Sequence, residues 1–241
     1  MGKRAEAIDV IDAIYTTGAQ RRLRPDAVPD DVVWAVLDAA IRGPSGGNDQ
    51  RWRWLVVTDQ AVKDPIAARY LEAWNALHRS RRERLRGVAD RITGKGDRQA
   101  TRLADARKDP NYRAGEHLAA NIGRAPVWIF AIVEDVEGTP TVVHGANIFG
   151  AVQNLMLAAR AHGLGSTLTM LHRQHETEVA ALLGLPDHAR ALALIPIGYP
   201  ESGRFFRTRR RPVETVVYWE RWGGYRDRPP TEVQDALGAL R

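Results

Sequence analysis

The sequence predicts an α+β fold, in which helices cover buried strands. Residues 127–133 (Val-Trp-Ile-Phe-Ala-Ile-Val) form an unbroken apolar run, the mark of a strand covered on both faces. Helical and strand patterns intermix along the chain without the regular βαβ period of a doubly wound sheet. At 241 residues and 44% apolar content, the chain is long enough to build a core on each side of such strands.

The elements follow in order. Ile8, Ile11, Ile14 and Tyr15 recur at helical spacing and predict an amphipathic helix over 5–16. Pro29 and Asp30 open a second helix that carries Val33, Val36, Leu37, Ala40 and Ile41, and Gly43 ends it. After a Gly/Asn/Ser loop at 43–50, residues 52–58 read as a strand with Leu55, Val56 and Val57 buried. Asp64 as cap and Pro65 as first residue predict a long helix over 65–86, continuing as helix and loop to about Asn111 with a break at 94–96. Residues 146–162 read as an apolar core helix ended by Gly163. A strand at about 166–171, a short helix over 176–183 and a buried strand over 191–197 follow. The tail then presents Val213, Val216, Val217, Tyr218, Trp219 and Trp222 on a segment too short to bury them itself.

Composition narrows the function. With no cysteine there is no disulfide framework, thiolate nucleophile or cysteine-ligated zinc. No apolar run approaches the ~18 residues of a membrane span. Asp9 and Asp12 interrupt the stretch where a signal peptide needs an apolar core, so the expected location is cytoplasmic, with no membrane partner. The formal charge of +6 is uneven: residues 79–108 hold eleven Lys/Arg and four Asp/Glu, while the rest holds 24 and 25. Such a segment binds nucleic acid, attracts anionic substrates, or is simply a solvated helical face. It carries no aromatic residue for base stacking, so nucleic acid is not the expected partner.

Motifs for the commoner chemistries fail on context. Gly43-Pro44-Ser45-Gly46-Gly47 matches the G-x-S-x-G nucleophile elbow, but a helix precedes it and a strand follows, the reverse of what that elbow needs. Gly163-Leu164-Gly165 joins helix to strand, and Leu168 stands where a dinucleotide fingerprint has its third glycine. Gly94-Lys95 lacks the upstream glycine and following Ser/Thr of a phosphate loop. His172 and His175 have no acidic third ligand in pattern, so no metal site is expected. No catalytic side chain is assigned. What remains is an anion-binding inventory: Arg21, Arg22 and Arg24 near the N-terminus, and the arginines at 207 and 209–211 before the tail. Between them the 43–50 loop offers Ser45, Asn48 and Gln50 on a glycine-rich backbone. The same arginines serve equally as surface charges, and the loop as a helix cap and turn.

Five blocks, in order, resemble the FMN-dependent nitroreductases. They are Thr16-Thr17-Gly18-Ala19-Gln20-Arg21-Arg22-Leu23 with the Pro25-to-Asp30 stretch, Gly43-Pro44-Ser45-Gly46-Gly47-Asn48-Asp49-Gln50-Arg51-Trp52, Gln153-Asn154-Leu155 with Ala161-His162-Gly163-Leu164-Gly165-Ser166, Leu185-Pro186 running to Pro196-Ile197-Gly198-Tyr199-Pro200, and Arg209-Arg210-Arg211-Pro212-Val213. The resemblance covers about 16–58 and 117–222. It implies a central mixed or antiparallel sheet flanked by helices, in a single nitroreductase-like domain over 1–241 with a variable basic helical segment at about 72–115. It also implies a homodimer with FMN at the interface and a C-terminal arm, about 203–241, wrapping the partner subunit. By resemblance Arg22 lies at the flavin phosphate and ribityl end, with Gln20 and Arg21 as neighbours. Pro44, Ser45, Gly46 and Asn48, with Gln50, match the loop along the isoalloxazine from the other subunit. Leu164 and Gly165 match the backbone over the flavin's reactive edge, and Arg210, beside Arg209, matches a phosphate-binding arginine; Asn75 matches less well. Three positions depart: Gly18 where the family has arginine, Thr208 where many relatives have lysine, and Arg51 where proline precedes the tryptophan.

The activity implied is an FMN-dependent oxidoreductase in which NAD(P)H and then a small-molecule acceptor, a nitroaromatic, quinone or related compound, visit the flavin in a ping-pong order. The basic segment 79–108 would then steer phosphorylated NAD(P)H. The alternative is a non-catalytic flavin- or nucleotide-binding protein whose basic segment binds nucleic acid.

Overall fold

The computed structural model describes residues 8–93, 109–136, 140–208 and 210–227, with 79–93 described as helix only. The chain divides into two compact units, 1–207 and 208–241.

The first unit is built on a four-stranded antiparallel sheet, β1 (Trp52–Val57), β2 (Val127–Val133), β3 (Gly165–Ser166) and β4 (Arg190–Gly198), in the order β1-β2-β4-β3. Every residue of β2 is buried, as its continuous apolar run requires. Its alternate side chains enter two different cores. Val127, Ile129, Ala131 and Val133 meet α2 (Asp30–Ala40) and α5 (Val142–Ala161) on one face. Trp128, Phe130 and Ile132 face α3 (Gln60–Thr93), α4 (Pro110–Asn121) and α6 (Glu176–Leu183) on the other. The β2–β4 register shifts between Ala131 and Ile132, so that Leu192 is an extra residue in β4. This bulge explains why the adjacent residues Leu192 and Ala193 both enter the α2/α5 core.

Helix α5 is the pivot of that core. It buries Ile148, Ala151, Val152, Leu155, Met156 and Ala159. By length and composition it is the one helix among the described residues apolar enough to cross a membrane, which qualifies the expectation from sequence. Its buried face is the inner wall of the α2/α5 core, so its apolar character has a packing cause. The turn after α2 approaches α5 so closely that a Cβ on Gly43 would stand 2.7 Å from the Ala151 Cα and N. Glycine is required there by contact with backbone, not by its own dihedrals.

Several sequence expectations are corrected. Helix α1 spans Val10–Thr16, because Asp9 caps it by accepting from the Ile11 and Asp12 N–H groups; residues 5–7 of the expected 5–16 helix lie outside the described residues. Of its periodic apolar residues, Ile11, Ile14 and Tyr15 are exposed, as is Val10, and Ala13 and Thr16 are its buried ones. Helix α3 starts at Gln60, five residues before Pro65, because Asp59 accepts from the Ala61 N–H at 2.9 Å and the proline is absorbed early in the helix. The strand expected at about 166–171 is only Gly165–Ser166 plus a bridge at Thr169, since the backbone turns into a 3₁₀ segment at Leu171–His175. In β1, Leu55 and Val56 are half-buried instead of buried. The basic stretch 79–108 is helical to Thr93, and 94–108 lie outside the described residues.

In the second unit a 3₁₀ turn at Val213–Thr215 precedes an aromatic knot. Tyr218 packs on Trp222 and Tyr225, and Arg226 lies 4.2 Å above the Trp219 ring.

Gly43→Val should destabilise the first unit by about 1–3 kcal/mol, because overpacking there pushes on helix backbone. Gly150→Ala should be neutral or slightly stabilising, its Cβ meeting Pro44 Cδ at an ordinary 3.5 Å. Urea unfolding midpoints of the two variants decide this, and equal midpoints would refute the Gly43 constraint.

Candidate functional site

The residues expected to form one site fall into two groups in the chain. The first is a loop. Residues 43–50 join α2 to β1, so the nucleophile-elbow order is absent. Gly47, Asn48 and Gln50 all have positive φ, at 59°, 58° and 51°. That backbone turns Pro44, Gly46, Asn48 and Gln50 to solvent and leaves Ser45 half-buried. The loop is braced internally and against α5. Gly46 donates its N–H to Asn147 Oδ1 at 3.0 Å, and Gln50 donates its backbone N–H to Ser45 Oγ at 3.2 Å. The Gln50 side-chain amide donates to Asn48 Oδ1 at 3.0 Å. Beside the loop, a groove of about 720 Å³ runs between α2 and β1, lined by Trp34, Leu37, Ile41, Gln50, Trp52 and Trp54.

The second group surrounds the far end of α5. The 20–24 stretch runs along β3 and the end of β4: Gln20 donates its N–H to the Ser166 carbonyl at 2.8 Å, and Leu23 bridges Pro200. Gln20 is buried, and its side-chain amide donates to the Arg204 carbonyl at 3.2 Å. It lies so close to β3 that a Cβ on Gly165 would stand 2.7 Å from the Gln20 Cβ. Leu164 is buried at 1% exposure, and the covered pair Leu164 and Gly165 give way to partly exposed side chains only at Leu168 and Met170.

Arg21 is half-buried and Arg22 exposed. Arg22 directs Nη1 to His117 Nδ1 at 2.9 Å. Burial, together with the charges of Arg22 and Arg124, holds the His117 pKa below the ordinary imidazole value, although Glu201 opposes the shift. The neutral ring therefore accepts from the guanidinium. Tyr70 and Thr169 meet hydroxyl to hydroxyl at 2.7 Å, and Thr169 exchanges both backbone bonds with Leu194. Burial raises the Tyr70 pKa, so it remains a phenol.

Along α5, Asn147 and Ala159 are attached to the two groups, the latter through the Leu164 N–H. Twelve residues of helix separate them by roughly 18 Å. One chain therefore does not bring loop 44–50 onto Gln20–Arg22. Of the remaining candidates, Arg210 is exposed in the second unit, and Arg209 lies outside the described residues. Asn75 is exposed on α3. Among the described residues no group of three His, Asp or Glu side chains could hold a metal. His172 has a structural environment: Nε2 bonds the Ala191 carbonyl at 3.1 Å and the ring meets Phe130 edge-on.

Sequence reasoning missed His117, Tyr70 and Thr169. Each acts on a partner 95 or 99 positions away, a separation that leaves no local pattern. It did place Arg207 in the arginine inventory, but two residues before the block that carried the resemblance.

The donor set suits a ligand with an anionic end and a planar polar end: guanidinium groups in one group, a positive-φ loop rich in amides and hydroxyls in the other. The model of the Nitroreductase family matches residues 16–199. An NADH dehydrogenase of Thermus thermophilus is 30% identical over 88% of this chain and 96% of its own length. A 4-nitrobenzoate reductase of Nocardioides sp. is 24% identical over 88% of this chain and 90% of its own. The crystal structure of NfnB, an FMN- and NADPH-dependent nitroreductase from Sphigopyxis sp. strain HMH, superposes with a TM-score of 0.60 at 25% identity, covering 89% of this chain and 100% of that one.

The buried His172 generates a pH prediction. Burial lowers its pKa from 6.5 to about 4. Below pH 6.5 the unfolded chain takes up a proton that the folded chain refuses, so stability falls as pH drops from 6.5 towards 4. The slope attributable to this one group approaches about 1.4 kcal/mol per pH unit. His172→Gln, which keeps a donor but does not titrate, should lower that slope by a comparable amount in urea titrations across the window. An unchanged slope would refute the assignment.

Proposed function

The chain belongs to the nitroreductase family, and from that premise we propose that it is an FMN-dependent oxidoreductase using NAD(P)H to reduce a small-molecule acceptor such as a nitroaromatic or quinone. The observation that carries this reading is the family match over 16–199, which includes every candidate residue except Arg209 and Arg210. Bound FMN would supply the electron-carrying chemistry, so the chain itself need contribute no nucleophile. Arg21 and Arg22 would hold the phosphate end by charge-assisted bonds, with Gln20 fixing the backbone beneath them. Arg209 and Arg210 keep the phosphate-binding role that the family motif gives them, as a separate proposal. Pro44, Ser45, Gly46, Asn48 and Gln50 would border the ring, and Leu164 and Gly165 would form backbone near its reactive edge.

The two groups are anchored roughly 18 Å apart along α5, which fits a homodimer in which the loop of one subunit meets the Gln20–Arg22 stretch of the other. Surface composition supports this. Val10 is 61% exposed, Trp34 72%, and Ile11, Ile14 and Ile41 are exposed with them. Apolar surface on that scale marks an interaction face. The aromatic tail, which buries little of Trp222, fits an arm laid on a partner subunit. The basic segment 79–108 would raise the local concentration of phosphorylated NAD(P)H, and KM would then rise with ionic strength.

Purified protein should be a yellow dimer whose visible absorbance bleaches on adding NADH or NADPH and returns with menadione or nitrofurazone. A colourless protein that takes up no FMN, yet binds RNA with a steep salt dependence, would instead establish the nucleic-acid alternative. Arg22→Ala and Arg210→Ala should each weaken FMN retention by about tenfold or more while the fold persists. Unchanged flavin content in both would place the phosphate elsewhere.

A further inference from the structure

A cavity of about 610 Å³ lies between α6 and the segment that leads into β4, and it shares no residue with either group of candidate residues. Arg190 opens β4, and Gly198, which pairs with Gly165 of β3, closes it. Eight residues of strand separate the two by roughly 26 Å, so the cavity is remote from the Gln20–Arg22 group. Its walls divide by chemistry. Ala180, Ala181 and Leu185 give an apolar side. Arg173, Glu176 and Arg190, all half-buried, give a charged one, and the exposed Asp187 also lines it.

The charged wall is not a completed network. Arg173 Nη2 lies 3.4 Å from Glu176 Oε2, and Arg190 Nε lies 4.0 Å from Glu176 Oε1. Charge-assisted bonds between such groups close to about 2.7–2.9 Å. Glu176 Oε1 and Arg173 Nε are buried and bonded to nothing. Three charged side chains thus border a void while sharing one long hydrogen bond, a costly state for a structural ion-pair cluster. Arg190 is held back from closing the gap, because its Nη1 donates to the Asp187 and Ala189 carbonyls.

Charge decides what such a cavity takes. Two guanidinium groups and two carboxylates line it, so a lone anion or cation would leave it unbalanced, whereas a zwitterion would not. The guanidinium forks suit a carboxylate, Asp187 suits an ammonium group, and the Ala180–Leu185 wall suits a hydrocarbon side chain. We propose that this cavity is a second binding site, for an α-amino acid with an apolar side chain. Its volume falls within the roughly 300–1,000 Å³ of small-molecule sites. The site is independent of the FMN reading above.

The test titrates the full chain, as purified, with L-leucine and L-phenylalanine in a calorimeter. N-acetyl-L-leucine, which has no ammonium group, and L-leucinamide, which has no carboxylate, serve as controls. At least one of the two amino acids should bind, with each leucine derivative about tenfold or more weaker than leucine where leucine is the one bound. Arg173→Gln should raise the amino acid Kd about tenfold or more. Ala181→Phe, which fills the cavity from its apolar side and keeps every charge, should abolish binding while the urea midpoint stays within error. Binding of neither amino acid overturns the proposal. So does binding that Ala181→Phe leaves unchanged, since the amino acid then sits elsewhere. Equal affinity for leucine and either derivative refutes recognition of a zwitterion.

Discussion

Strand β2 has no face left for water, and this constraint organises the first unit. With Trp128 and Phe130 on one side and Ile129 and Ala131 on the other, helices must cover both faces of the sheet. Polar chemistry is thereby excluded from the middle of the sheet and relegated to its ends and rims. The two groups of candidate residues obey that rule. Loop 43–50 leads into the edge strand β1, and the 20–24 stretch lies along β3 at the opposite edge.

Helix α5 then fixes how far apart those rims lie. Its buried face, Ile148 to Ala159, is held against the sheet, and the Gly43–Ala151 approach fixes the turn leading into the loop. The two rims are anchored at opposite ends of α5. On the proposed reading the dimer is therefore a consequence of the core and not an addition to it. The exposed apolar residues of α1 and α2 are what such an arrangement would cover.

The fold was legible wherever burial alone decided it. The run 127–133 is β2, and the 176–183 helix has the bounds read from sequence. Legibility failed where a local bond competed with periodicity. Asp59 outcompeted Asp64 as a cap, and Thr169, bound to Leu194 and Tyr70, ended the strand expected to reach 171. Helix α1 failed differently: its period was real, but the face it marks is not buried within the chain. The candidate site was readable as residue types in an ordered series. Its division between two ends of α5 was not, because the roughly 18 Å depends on which turn of the helix each loop meets.

The distribution of charge now has a physical meaning that the total of +6 concealed. Arg160 is satisfied by Thr16 and Asp12 and belongs to the fold. Arg22 rests on a neutral imidazole, a partner that accepts a hydrogen bond but cancels no charge. Arg207 rests on an aromatic ring and leaves a nitrogen unbonded. Arg24 nearby, by contrast, pairs with Asp26 at 2.9 Å. Supporting Arg22 on a neutral ring leaves its charge uncancelled and its side chain exposed. On the proposed reading this suits a phosphate-binding edge, since a carboxylate already in place would have to be displaced before a phosphate could bind.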